Sequence, residues 1–336
     1  MKVRLRSAGL VVEVEAHGPW ADLAREACAG QELAAGNDAA RIDVSVRIAH
    51  HDSRPVSHGA ALRPLTRGAW SDGSTVVMAD ACSSGLDLEL SPQGDHLRVL
   101  ATPRPTWRHH LLGLAAPDRR VLLNRAAVLQ YPALWWAGVK GRVPLHTSAA
   151  TVGDCALVFA GPGGVGKSTL LATVDAAGGV PLSDNLCVTD GRTVHGVLEP
   201  PRRDEGTGRR MPHGRREGTW SRLGESVEPT AIIVLRRGQQ AEAAIHRISP
   251  EAAARELVGG TYSAGELRRY WTFAATAALG TGLGPVHPPV AAVCDDLAAG
   301  IPAFELHLPP TPSLGLRQVV DLLGRVGEQP REVWQS

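Results

Sequence analysis

Asp154-Cys155-Ala156-Leu157-Val158-Phe159-Ala160-Gly161-Pro162-Gly163-Gly164-Val165-Gly166-Lys167-Ser168-Thr169-Leu170-Leu171 is the stretch that decides the fold. Residues 154–160 are nearly all apolar and short in run, the pattern of a buried strand. Gly161-x-x-x-x-Gly166-Lys167-Ser168 then fits the phosphate-loop pattern at every position, and Ser168 to Ala177 continues as a helix-forming run. Glycines let successive backbone N–H groups curl towards a polyphosphate, and the helix that follows adds the positive end of its dipole. A plain glycine-rich turn would satisfy the loop alone, but strand before and helix after are the context that a phosphate loop needs. The expected nucleotide contacts are therefore Gly161, Gly163, Gly164, Val165, Gly166, Lys167, Ser168 and Thr169. Lys167 would meet the β- and γ-phosphates, and the Ser168 hydroxyl would ligate Mg2+.

The rest of the chain narrows the chemistry. Of its 35 basic residues only Lys2, Lys140 and Lys167 are lysines, and neither of the first two stands in the N-K-x-D context that specifies guanine. No L-S-G-G-Q-like segment is present, which argues against a transporter ATPase. The apolar run Ala231-Ile232-Ile233-Val234-Leu235 ends in Arg236-Arg237, so that strand supplies no acid for a metal. Asp184 follows Lys167 further along the chain, directly behind Val180-Pro181-Leu182-Ser183. One helix of about ten residues and a turn would return that segment beside the loop as a neighbouring strand, with Asp184 at its end. There it would bind Mg2+ or accept a hydroxyl proton. Ser-Asp-Asn is also good turn chemistry, which is the plainer alternative. Asp295-Asp296 read as the solvated face of a helix over 288–300.

Three marks coincide between His146 and Asp190: His146 upstream of the first loop glycine, Gly161, the loop itself, and Asp184 one helix and a turn beyond Lys167. In these, and in their spacing, the segment resembles the catalytic core of the HPr kinase/phosphorylase family and its looser relatives. The resemblance implies an α/β, P-loop kinase core of the type shared with phosphoenolpyruvate carboxykinase, using ATP and Mg2+. It implies that Lys167 and Ser168 hold phosphate and metal. It implies that Asp184 serves the metal and the acceptor hydroxyl, and that His146 sits against the acidic pair, where an imidazole can handle protons. Asn185 stands where that family has a second aspartate; an amide is no base, though its carbonyl oxygen can ligate Mg2+. Thr169 stands where that family usually has an acid.

With 336 residues, the chain suits one large or two modest domains. Residues 1–105 read as a β-rich N-terminal domain suited to acceptor recognition. Ile42, Val44, Val46 and Ile48 alternate, as do Leu86, Leu88 and Leu90, and Pro92-Gln93-Gly94-Asp95 turns the chain. Residues 106–330 read as the kinase domain, opening on a helical stretch. Its run 121–137 is apolar all round and therefore buried, with Trp135 and Trp136 as core residues rather than a stacking platform. Further helices are expected at 250–258, 264–279, 288–299 and 312–326, with a strand at 302–308.

Six arginines between Arg202 and Arg216, interleaved with glycines, fit either a solvated flexible loop or a lid that brings an arginine to a transferring phosphoryl group. Five scattered cysteines form neither a disulfide framework nor a cysteine zinc site, and point to a reducing cytoplasm. A net charge of +1 gives no global field for nucleic acid, and no apolar run is long enough for a membrane span. Self-association is left open. The expectation is an ATP- and Mg2+-dependent kinase acting on a hydroxyl (Ser or Thr) of a protein or peptide, including a biosynthetic peptide. A small-molecule kinase and a nucleotide-binding regulator without transfer are the alternatives.

Overall fold

The computed structural model describes residues 1–33, 41–49, 62–104, 107–211, 214–239 and 243–309. It is a mixed α/β protein with several sheets. The expected helix at 312–326 lies outside the described residues. Among the described residues no helix is long and apolar enough to cross a membrane.

Two compact units divide the chain. The first takes Met1–Gly141, Asp204–Thr219 and Glu266–Pro288; the second takes Arg142–Arg203, Trp220–Gly265 and the chain from Pro289 on. The helical stretch before Gly141 falls in the first unit, where Tyr131–Val139 contacts the strands Leu10–Glu15 and Val44–Ile48.

The first unit is built on an eight-stranded sheet. Its order is Lys2–Ser7, Leu10–Glu15, Val44–Ile48, His96–Pro103, Leu86–Gln93, Val76–Met78, Ala69–Ser71, Arg63–Thr66. Alternation does what it should: Val44, Val46 and Ile48 are buried, as are Leu86, Leu88 and Leu90. Gly94, at φ 60°, closes the hairpin between Gln93 and His96. The apolar run expected as one buried helix is instead Pro117–Arg125, a π turn Ala126–Gln130, and Tyr131–Val139. Trp135 and Trp136 are fully buried core residues, as their apolar neighbours in sequence suggest. The helix Arg268–Thr281 closes the unit, with Tyr131 in ring contact with Tyr270 and Phe273. Gly280 is needed there, since a Cβ would lie 2.3 Å from a Val76 methyl.

The second unit holds a six-stranded sheet ordered Val180–Ser183, Ser148–Val152, Cys155–Ala160, Ala231–Arg237, Ala303–Leu308, Ala244–Ile248. A four-stranded antiparallel sheet of Ser226–Val227, Val194–Gly196, Cys187–Thr189 and Val143–Leu145 accompanies it. The strand cores are fully apolar: Leu157, Val158, Ile232, Ile233 and Val234 have no exposed surface. Strands buried on both faces run as unbroken apolar segments, which is why these two are legible in the sequence.

Candidate functional site

Strand direction decides what meets what. Cys155–Ala160 runs parallel to Ala231–Arg237, which runs parallel to Ala303–Leu308. Ser148–Val152 lies antiparallel between Cys155–Ala160 and Val180–Ser183. Two strands antiparallel to the same neighbour are parallel to each other, so Ala160 and Ser183 end at one edge of the sheet. Ser148 starts at that edge, opposite Phe159. Hence the glycine loop, Asp184-Asn185 and His146-Thr147 all leave the sheet at the same end. In open α/β sheets, ligand sites form at this carboxyl end. The helix Pro250–Ser263 touches two of these segments. A Cβ at its Gly260 would be 3.8 Å from the Gly161 oxygen and 3.9 Å from the His146 oxygen.

The helix after the loop, Lys167–Ala176, has ten residues, and the chain then returns through Val180–Ser183. The return differs from the expected one. Val180–Ser183 is not the loop strand's neighbour; Ser148–Val152 is inserted between them. The crossover therefore skips one place, and Asp184 stands two strands away from the loop strand.

The loop is curled by glycines at positive φ: Gly161 at 137°, Gly164 at 78° and Gly166 at 120°. Such values are strained for any residue with a Cβ. At Gly161 a Cβ would also meet the Leu235 oxygen at 2.9 Å, whereas Gly163 and Gly164 face open space. Lys167 is buried, and its Nζ donates to the carbonyls of Gly161 at 2.7 Å and Pro162 at 3.2 Å. Arg237 Nη2 donates to the Gly164 oxygen at 2.9 Å. Val165 is buried, while Ser168 and Thr169 are half-buried at the helix start.

Asp184 is 2% exposed. Its Oδ2 accepts from the Arg202 backbone N–H at 3.0 Å, and its carbonyl accepts from Ser148 Oγ at 2.5 Å. Its Oδ1 is buried and has no hydrogen-bond partner among the described residues. His146 is buried at the same edge. Its backbone N–H donates to Thr261 Oγ1 at 3.1 Å, and its Nε2 lies 3.2 Å from Asn185 Oδ1. The histidine thus meets Asn185 through its ring. Asn185 Nδ2 and Thr147 Oγ1 are likewise buried without a hydrogen-bond partner among the described residues. Unsatisfied buried polar atoms are rare, and three at one sheet end ask for an explanation. Thr147, Ser148 and the Arg202 amide escape a reading of the sequence because nothing in their spacing marks them. The inserted strand brings Ser148 to Asp184, and the later segment Arg202–Arg203 brings the Arg202 amide.

The arginine stretch is not one solvated loop. Arg203 pairs with Asp175 at 2.9 Å and lies over the Trp220 ring, within the second unit. In the first unit Arg209 pairs with Glu26 and Asp118, Arg215 pairs with Asp204, and Arg216 donates to the Gly208 oxygen. Asp295 and Asp296 are exposed on the helix Val290–Ala299, as a solvated face requires.

What fold and site define together is a mixed α/β protein whose glycine loop and buried acid share one sheet end. No protein-family model matches the chain, and no curated protein matches it. Among solved structures, the Hpr(Ser) kinase/phosphatase from Coxiella burnetii is similar over 55% of this chain and 90% of that one. The identity is 10% and the TM-score 0.30, so that likeness carries no conclusion about chemistry here.

Proposed function

We propose that the second unit binds ATP with Mg2+ and transfers the γ-phosphoryl group to a hydroxyl of a protein or peptide. The observation that carries this is the buried Oδ1 of Asp184, without a hydrogen-bond partner among the described residues, at the sheet end that also holds the glycine loop and Lys167. A buried carboxylate oxygen left unpaired costs free energy that folding alone does not return. A metal ion or an acceptor hydroxyl at that point would supply the missing partner. The loop supports the same reading, because its glycines 163 and 164 face open space and a ten-residue helix begins behind it.

The residues present fit the group. Ser168 Oγ and the Asp184 carboxylate are hard oxygen donors of the kind Mg2+ takes, and Asn185 offers an amide nearby. Bound there, Mg2+ would neutralise charge on the phosphates. Lys167 would leave the Gly161 and Pro162 carbonyls and meet phosphate oxygen instead, a charge-assisted contact. Asp184 orients the acceptor hydroxyl and takes its proton as the new P–O bond forms and the bond to the ADP oxygen breaks. His146 holds the Asn185 amide oxygen through Nε2, 3.2 Å away. The β-rich first unit is proposed to recognise the acceptor, and the site of action to be the cytoplasm.

The test is transfer from γ-labelled ATP, with Mg2+, to an array of Ser- and Thr-containing peptides. Asp184→Ala should lower transfer at least about 100-fold and leave ATP binding within about threefold. Full transfer by that variant sinks the assignment. A second reading rests on Asn185: the histidine at this edge meets an amide where a proton-handling pair would have a carboxylate. It describes a nucleotide-binding regulator, and it predicts ATP binding with no labelled product from any acceptor, small metabolites included.

A further inference from the structure

The last two strands of the six-stranded sheet gather three side chains that phosphoryl transfer does not use. His246, on the edge strand Ala244–Ile248, stands directly opposite Glu305 on Ala303–Leu308. His307 lies two residues beyond Glu305, and the period of a strand puts both on one face. Nε2 of His307 is 2.9 Å from Glu305 Oε1, and Nε2 of His246 is 3.6 Å from the same oxygen. The two imidazoles stack, with ring centroids 5.4 Å apart and planes 27° off parallel. One donor atom from each of the three residues lies within 4.8 Å of the other two.

The surroundings hold this arrangement in place. Glu305 Oε2 accepts from Arg236 Nε at 3.0 Å, which turns Oε1 towards the imidazoles. Arg236 is itself gripped by both oxygens of Glu256, at 2.6 and 3.0 Å, so its charge is already matched. A carboxylate oriented through its second oxygen is the usual support for a ligand to a metal. Side-chain exposures of 55%, 20% and 38% for His246, Glu305 and His307 leave the cluster open to an ion from solvent.

We propose that His246, Glu305 and His307 bind one divalent transition-metal ion, Zn2+ in the first place, with a remaining position for water. Two imidazoles and one carboxylate suit Zn2+ and its neighbours, whereas Mg2+ and Ca2+ prefer oxygen donors throughout. Three protein donors and an open place are a recurrent zinc arrangement. Donors about 2.0–2.2 Å from a tetrahedral ion sit roughly 3.3–3.6 Å apart, a spacing that the His307–Glu305 and His246–Glu305 separations of 2.9 and 3.6 Å bracket. A His307–Glu305 hydrogen bond by itself would not require a second imidazole at the same oxygen. The site stands whether or not the loop binds ATP.

The experiment uses the full chain without an affinity tag, stripped of metal by chelator and kept in millimolar Mg2+. Zn2+ is titrated by calorimetry, and Co2+ by its visible absorption. The expected result is one ion per chain and a Co2+ spectrum of four or five N/O donors. His246→Gln and His307→Gln should each weaken Zn2+ binding at least tenfold, with metal-free melting temperature unchanged. His246 is mostly exposed on an edge strand, so its replacement leaves the fold intact. No stoichiometric Zn2+ binding, or an affinity unchanged within threefold in either variant, overturns the proposal.

Discussion

Among the buried carboxylates, Glu217 of the first unit and Asp184 of the second are treated in opposite ways. In the first unit Glu217 meets Arg125 through two bonds, at 2.6 and 3.2 Å, with the Arg125 and Glu217 side chains 4% and 8% exposed. Glu217 thus has a charged partner in its own unit. In the second unit Asp184 has, among the described residues, a backbone donor for one carboxylate oxygen and no hydrogen-bond partner for the other. A satisfied buried charge serves the fold, while a half-satisfied one points to something the chain binds.

Point substitutions put that contrast to the test. Glu217→Ala leaves the buried Arg125 guanidinium with only the longer Glu26 contact, at 3.9 Å, and should cost about 3 kcal/mol in urea unfolding. A loss under about 1 kcal/mol would mean that the pair is less buried in solution than its geometry implies. Gly161→Ala combines a forbidden φ with a backbone clash and should cost about 1–3 kcal/mol. Gly163→Ala, facing open space in the same loop, should change stability by under about 0.5 kcal/mol. Equal costs at the two positions would show that the loop relaxes freely.

Asp184→Asn should go the other way from Glu217→Ala. The amide can keep the bond from Arg202 and removes an unpaired charge, so thermal unfolding should show no loss, or a gain of up to about 1 kcal/mol. A large loss would make Asp184 a structural residue like Glu217. The smallest effect belongs to Glu13. Burial pushes its carboxyl up, but hydrogen bonds from Lys2 and Arg4 and their charges bring it below the ordinary 4.5. A lowered carboxyl contributes stability that is present above its unfolded value and fades as pH falls through the folded one. Wild type and Glu13→Gln should therefore differ by a constant amount above about pH 5, and converge as the solution is acidified below 4.5.

The residues legible from sequence are those whose backbone or burial leaves no choice. Gly161, Gly164 and Gly166 must be glycines because their φ values are positive, and 155–160 and 231–235 must be strands because both faces are buried. Spacing locates Asp184, since a ten-residue helix fixes how far the chain travels before it returns. What spacing cannot supply is the insertion of Ser148–Val152, a strand of small residues with no marked alternation, between the loop strand and Val180–Ser183. The arginines between 202 and 216 read as a charge run because their partners, Glu26, Asp118 and Asp175, lie far away in sequence. The His246–Glu305–His307 cluster is hidden for the same reason, although Glu305-x-His307 on a strand puts two donors on one face. Cysteine spacing, the familiar mark of a zinc site in a sequence, says nothing about it.

The most direct measurement is a calorimetric titration of ATP, with and without Mg2+, into wild type and Asp184→Asn. One ATP should bind per wild-type chain, more tightly with Mg2+, and the variant should keep its affinity for ATP alone but lose the gain from Mg2+. Absence of ATP binding by wild type, or a Mg2+ effect that survives Asp184→Asn, would contradict the assignment of this sheet end as a nucleotide and metal site.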